Sequence, residues 1–307
     1  MSVLGPESAA SRSPDGLLDP ALLAKIANLE LLARRAVDGF LTGMHRSVRM
    51  GFSLEFADYR AYEPGDDPRL IDWNAYARTD RTVIKRYRGE TTTQLMLALD
   101  ASASMGIRSG SVSKLEYARM LCAALAYLAL GQHDPVGLVV FDSAVREYRR
   151  PASRRLQLRS LLHALDSAAP GNTTDFGAAL AVFSQRVKRR GMVAVISDFF
   201  CEPEKILQAV RPLAARKQDL VLFHVLDPAD RAPDPRARAR LRDVETGVEM
   251  EVGEAFLRNE YPERLTRHIE HLARSAREMG ADHVLLDTSQ PLDVALRSYL
   301  QLRRRSP

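Results

Sequence analysis

Apolar residues fall along this chain in two rhythms that take turns. Unbroken runs such as Leu95-Met96-Leu97-Ala98-Leu99 and Met192-Val193-Ala194-Val195-Ile196 read as strands buried on both faces, and 136–142, 219–226 and 283–287 repeat the pattern. Between them, apolar positions recur at helical spacing over 113–130, near 153–168, and over 175–189, 203–216 and 254–279. The last stretch carries Leu265, Ile269, Leu272, Ala276 and Met279 on one face and ends at Gly280, a good C-cap. A hairpin arm is expected at Val145 to Arg150, and a second hairpin over Leu241 to Val252 around Glu245-Thr246-Gly247. This alternation predicts an α/β fold with a doubly wound, mostly parallel sheet.

Ahead of the sheet, Pro20 to Leu41 has a helical repeat in Leu22, Leu23, Ile26, Leu29, Leu32 and Ala33, and Thr82 to Tyr87 reads as a strand. Met1 to Asp19 is rich in Ser, Pro and Gly without a hydrophobic signal region and is expected to be a disordered tail. The chain therefore divides into a tail at 1–19, an N-terminal helix and strand extension at 20–92, the α/β domain at 93–289, and a C-terminal helix with a basic tail at 290–307. No internal repeat is present.

Chemistry concentrates at the predicted strand ends. Asp100-Ala101-Ser102-Ala103-Ser104 follows the first buried strand, Thr174 follows Gly171-Asn172-Thr173 and opens a helix, and Asp198 ends the strand at 192–197. Open α/β sheets bind ligands at the carboxyl ends of their strands. Five oxygen side chains, Asp100, Ser102, Ser104, Thr174 and Asp198, thus converge on one sheet edge, and an all-oxygen set suits hard cations such as Mg²⁺ or Mn²⁺. Each residue also has a simpler use as a turn or capping group; their joint order at matching strand ends is what points to a metal.

The constellation resembles the metal-ion-dependent adhesion site of von Willebrand factor A domains, whose pattern is Asp-x-Ser-x-Ser, then a Thr, then an Asp. All five positions match. The resemblance implies a Rossmann-type A domain in which the serines and the threonine ligate the ion directly and the aspartates directly or through water. It also implies a sixth position open to a carboxylate from a partner protein.

A second motif narrows the likeness. Glu55-Phe56-Ala57-Asp58-Tyr59-Arg60-Ala61-Tyr62-Glu63-Pro64-Gly65-Asp66-Asp67-Pro68-Arg69-Leu70-Ile71-Asp72-Trp73-Asn74 leads into Ala77-Arg78-Thr79, Ile84-Lys85-Arg86-Tyr87 and Glu90. It resembles the signature of a bacterial and archaeal family of A-domain-like proteins of unassigned function, often encoded beside MoxR-type AAA+ ATPases, and the likeness runs from about Lys25 to Pro291–Arg303. Pro64-Gly65 is turn chemistry. Trp73, the only tryptophan, flanked by Leu70 and Ile71, is expected to be the buried anchor of a latch that docks the extension onto the domain; a partner-binding surface is the alternative.

Composition adds exclusions. A hydrophobic content of 46% supplies a sizeable core, and no apolar run approaches the roughly 20 residues of a membrane span. Cys122 and Cys201 are too few and too far apart for a disulfide framework or a zinc site, which fits the cytoplasm. His268 and His271 share a helical face but lack a partner at zinc-protease spacing, so an exposed surface is expected there. The net charge of +5 and a pI near 9.3 gather in runs such as Lys188-Arg189-Arg190, Arg231 to Arg242 and Arg303-Arg304-Arg305. These lack the interleaved aromatics that stack bases, so a nucleic-acid-associated factor is the lesser alternative.

Catalytic patterns are missing. An aspartyl-phosphate enzyme needs a second acid where Ser102 stands, and there is neither a Gly-x-Ser-x-Gly elbow nor a phosphate-binding Gly-x-x-x-x-Gly-Lys-Ser/Thr loop. Metal-assisted hydrolysis at the five-oxygen site is the remaining enzymatic option. The expected function is a non-enzymatic, divalent-metal-dependent interaction module, and the resemblance implies an adaptor or co-chaperone of a MoxR-type ATPase.

Overall fold

The computed structural model describes residues 28–38, 56–61, 72–73, 75–76, 82–87, 94–154, 156–171, 176–233, 240–242, 249–251, 254–297 and 299. The expected tail at 1–19 and the Pro64-Gly65 turn lie outside the described residues. The sheet holds β3 (Gln94–Asp100), β4 (Val136–Phe141), β5 (Val145–Ala152), β6 (Gly191–Ser197), β7 (Asp219–Leu226) and β10 (Asp282–Asp287), in the order β10-β7-β6-β3-β4-β5. Every neighbouring pair is parallel except β4 and β5, which form an antiparallel hairpin. Outside the sheet, β1 (Phe56–Ala61) pairs antiparallel with β2 (Val83–Tyr87), and β8 (Arg240–Arg242) with β9 (Glu249–Glu251).

Helices cover both faces, because side chains alternate along each buried strand. On β3, Leu95, Leu97 and Leu99 join one core with α2 (Lys114–Gly131) and α3 (Gln157–Ser167), the helix α1 at 28–38 and the C-terminal helix at 293–297. Met96 and Ala98 point the other way, into a second core with α4 (Phe176–Arg186), α5 (Pro203–Ala215) and α7 (Tyr261–Glu278), the short α6 (Pro228–Arg231) falling between the last two in sequence. Each buried Leu or Val contributes about 1.5 to 3 kcal/mol, so a one-residue slip of β3 would exchange the two cores and is strongly opposed. At Gly137 on β4 an added Cβ would run into Met96 Sδ and come within 2.9 Å of the Arg149 carbonyl oxygen, so only glycine admits this strand spacing.

Two element boundaries differ from the periodicity. The strand β5 runs through Pro151 to Ala152, which an edge strand tolerates, and α3 starts at Gln157 where helix was expected from near 153. The expected helix at 254–279 contains a π-helical turn at Phe256–Glu260 ahead of α7. Pro262 has no N–H for the Arg258 carbonyl, which breaks the regular hydrogen-bond register there.

Trp73 corrects the buried-anchor expectation. It is 61% exposed and meets the 40% exposed Tyr76 edge-on, ring centroids 6.1 Å apart. Among the described residues of this stretch, Asp72 and Ala75 are buried. The Asp72 amide donates to the Val83 carbonyl (3.0 Å), and its carboxylate caps the following turn by accepting from the Ala75 amide (3.1 Å). A carboxylate with backbone donors satisfies its burial; the neighbouring indole needs no interior place.

Candidate functional site

Chain order along the sheet reverses at β3: the next strand, β4, lies on one side of it and β6 on the other. Such a switch point opens a crevice at the strands' carboxyl ends, and there Asp100 closes β3 while Asp198 follows the last residue of β6. Asp100, Ser102, Ser104 and Asp198 are all buried. One oxygen of Asp100 accepts from the Ser102 amide (2.8 Å) and the other from the Ser197 hydroxyl (2.6 Å), while the Ser102 and Ser104 hydroxyls lie 3.1 Å apart. Thr174 lies outside the described residues, but the Gly171 amide donates to the Ala101 carbonyl (2.8 Å) and ties the entry of its loop to the Asp100 loop.

The turn after Asp198 is strained and over-determined. Phe199 has φ +50°, a left-handed conformation that costs a non-glycine residue about 1 to 2 kcal/mol. Its ring is fully buried against Phe176 and His224, with both centroid distances 5.4 Å. Its amide donates to Ser197 Oγ (2.9 Å), and its carbonyl accepts from the Cys201 amide (2.8 Å) and from His268 Nε2 (3.0 Å), which therefore carries the proton. These contacts aim Asp198 into the site.

Lys114 is the residue that sequence reasoning missed. Its side chain is fully buried, with Nζ 2.8 Å from Asp198, 3.0 Å from Asp230 and 4.6 Å from the centroid of the Phe200 ring. Burial pushes its pKa down, but the two carboxylates outweigh burial and hold it above the ordinary lysine value. The available signal was Ser113-x-x-Glu116, a capping box in which Ser113 Oγ accepts from the Glu116 amide (3.1 Å) and Glu116 accepts from the Ser113 amide (2.7 Å). It fixes Lys114 as the first residue of α2, where side chains point back past the helix start towards the strand ends.

His268 is half-buried, which corrects the expectation of an exposed helix surface, whereas His271 is exposed, 3.7 Å from Glu204. His268 belongs to a histidine cluster: the His224 and His268 ring centroids are 6.2 Å apart, and His224 Nδ1 lies 3.1 Å from His283 Nε2. Burial above all, then the neighbouring histidines, pushes His224 well below the ordinary value, and burial with His268 lowers His283 to about 4.

The donor set fits a hard cation. Burial first, then the nearby Asp198 charge, raises the Asp100 carboxyl to about 7. The Lys114 ammonium pairs with Asp198 and Asp230, while buried Asp100 accepts from the neutral Ser102 amide and Ser197 hydroxyl, so negative charge remains to be answered. Among the described residues no three His, Cys, Asp or Glu side chains gather as a metal group; any ion here would rely on hydroxyl oxygens as well, which magnesium and manganese accept.

A doubly wound sheet with this oxygen cluster at its switch point is a von Willebrand factor A-like fold. Residues 58–271 match the family described as "Protein of unknown function DUF58", and the chain belongs to that family. An uncharacterized protein of Mycobacterium tuberculosis is 28% identical over 291 residues, 94% of this chain and 91% of the relative. Among solved structures, conserved hypothetical protein BatB from Bacteroides thetaiotaomicron aligns at 18% identity and TM-score 0.48, over 69% of this chain and 99% of that one. The SpRpn10 VWA domain aligns at 12% identity and TM-score 0.38, over 70% and 95%.

Proposed function

We propose that this protein is a divalent-metal-dependent protein-interaction module that works by binding and not by catalysis. Asp100, Ser102, Ser104, Thr174 and Asp198 hold Mg²⁺ or Mn²⁺, and a partner's carboxylate completes the shell. The observation that carries the reading is the pairing of two adjacent hydroxyls with two buried carboxylates, one of them raised to about 7 by burial and by the charge of the other. A cation held largely by neutral hydroxyls keeps much of its charge and attracts an acidic side chain. Bound metal would supply that attraction; the chain's own residues orient the oxygens and exclude water.

The resemblance of the Trp73 signature supports a MoxR-type AAA+ ATPase, or its client, as the partner and an adaptor or co-chaperone role in the cytoplasm. No described helix is long and apolar enough to cross a membrane. Exposed Trp73 and Tyr76 support the signature as a contact surface.

The test is thermal unfolding with Mg²⁺ or Mn²⁺, with chelator, and for Asp100→Ala. At a hundredfold excess over the dissociation constant, metal adds about 2.7 kcal/mol, or roughly 5 to 10 °C in a protein this size. Chelator reverses the shift and Asp100→Ala abolishes it. A wild-type curve indifferent to metal and chelator would sink the reading. Calorimetry of ATPase binding with Mg²⁺, with chelator and with Thr174→Ala then tests the docking role; equal affinity in all three would reject it.

A further inference from the structure

We infer that Lys114 is a tethered cation of the site, sharing the Asp198 carboxylate with any divalent ion that binds there and keeping that ion's affinity low. Lysine is almost never fully buried unless paired, and this one is paired twice, to Asp198 and Asp230. The ammonium takes Asp198 Oδ2, while among the described residues Oδ1 accepts a long bond from the Phe200 amide (3.4 Å). An ion ligated through Asp198 therefore divides that carboxylate with a positive charge already in place. In a buried setting two cations on one carboxylate repel strongly.

The arrangement behind Lys114 keeps it from leaving. The Asp230 carboxylate also accepts from the Asp227 amide (2.9 Å). Asp227 in turn accepts from Ser109, Ala229 and Thr288, so neutral donors answer its charge and do not compete for the ammonium. The Phe200 ring covers Lys114, and the Lys114 amide donates to the Ile107 carbonyl (3.2 Å). Lys114 thus stays in place whether or not an ion arrives. It holds Asp198 in position without metal and makes a bound metal easy to lose until a partner's carboxylate secures it.

This inference rests on the metal reading, and the experiment separates the two. Mn²⁺ binding to the chelator-stripped full chain is measured by calorimetry for wild type, Lys114→Met and Lys114→Arg, with circular dichroism to establish folding. Lys114→Met should bind Mn²⁺ about tenfold or more tightly than wild type, because a repelling charge has been removed. It should melt below wild type in chelator and recover with Mn²⁺, whereas Lys114→Arg keeps the charge and stays near wild-type affinity. If wild type binds and Lys114→Met binds equally or more weakly, the tethered-cation role is wrong and the metal site stands. If only Lys114→Met binds, Lys114 takes the ion's place in the native protein instead of sharing Asp198 with it, and both the metal reading and the tethered-cation role fail. If neither binds, both fail. Should Lys114→Met not fold, Lys114→Gln is read in the same way; if neither folds even with Mn²⁺, Lys114 is only a structural ion-pair partner and the inference is overturned.

Discussion

At Asp100 two forces oppose the ordinary ionisation of a carboxyl: burial and the neighbouring Asp198 charge. A folded-state pKa near 7, above the ordinary value of 3.8, means that the metal-free fold binds this proton more tightly than the unfolded chain. The stability Asp100 contributes is then present below about pH 4 and is lost as pH rises through 7. On the proposed metal reading a cation would take the proton's place, so the melting shift produced by Mn²⁺ should be larger at pH 8 than at pH 6; an equal shift would argue that Asp100 does not face the ion. Trp73 makes a different residue-scale case. An indole 61% exposed has little packing to lose, so Trp73→Ala should change stability by no more than about 1 kcal/mol, against about 3 to 5 kcal/mol for a buried tryptophan. Denaturant unfolding decides between those values.

Helix ends show what the sequence makes legible and what it hides. Gly280, at φ +74°, ends α7 with the Ala281 amide bonded to the Ala276 carbonyl (2.9 Å), and the glycine announces the stop. The helices α2 and α5 end in the same motif, but His133 (φ +64°) and Lys217 (φ +57°) stand at the left-handed position, where no residue type signals it. Both are exposed, so Lys217→Gly or His133→Gly should raise stability by about 0.5 to 1 kcal/mol, measured as a higher denaturant midpoint at constant m-value. The strands were legible for a simpler reason: β3, β6 and β7 are buried on both faces, which leaves an unbroken apolar run in the sequence. The same logic found Asp100, Ser102 and Asp198, since polar groups that end such runs must sit at the strand tips. Lys114, Ser197 and Asp230 stayed hidden because each acts through a partner distant in sequence: 84 residues separate Lys114 from Asp198 and 97 separate Ser197 from Asp100. Trp73 failed for the converse reason. Apolar neighbours in sequence do not guarantee a cavity to receive the ring, and here the burial went to the capping carboxylate of Asp72.

For the molecule as a whole, the histidine cluster joins three elements behind the site: His224 from β7, His283 from β10 and His268 from α7. Burial lowers all three pKa values, with the neighbouring histidines adding to the effect, and Lys114 also bears on His224. The unfolded chain protonates them near 6.5, while the folded protein holds His283 neutral down to about 4. Their contribution is therefore present above about pH 6.5 and is lost as pH falls towards 4. For His283, partly screened by solvent, this amounts to about 1 to 3 kcal/mol. Protonation also strains the contact between His224 Nδ1 and His283 Nε2 at 3.1 Å, where one nitrogen must accept. Asp100 works in the opposite sense over the same range, so the measurement is a difference between wild type and His283→Gln, which keeps a hydrogen-bonding group without a titrating one. Wild type should lose several degrees of melting temperature between pH 7 and pH 5 relative to the variant. Parallel melting curves across that range would show that the cluster carries no acid-labile stability, and that loosening of β7, β10 and α7 in acid has another source.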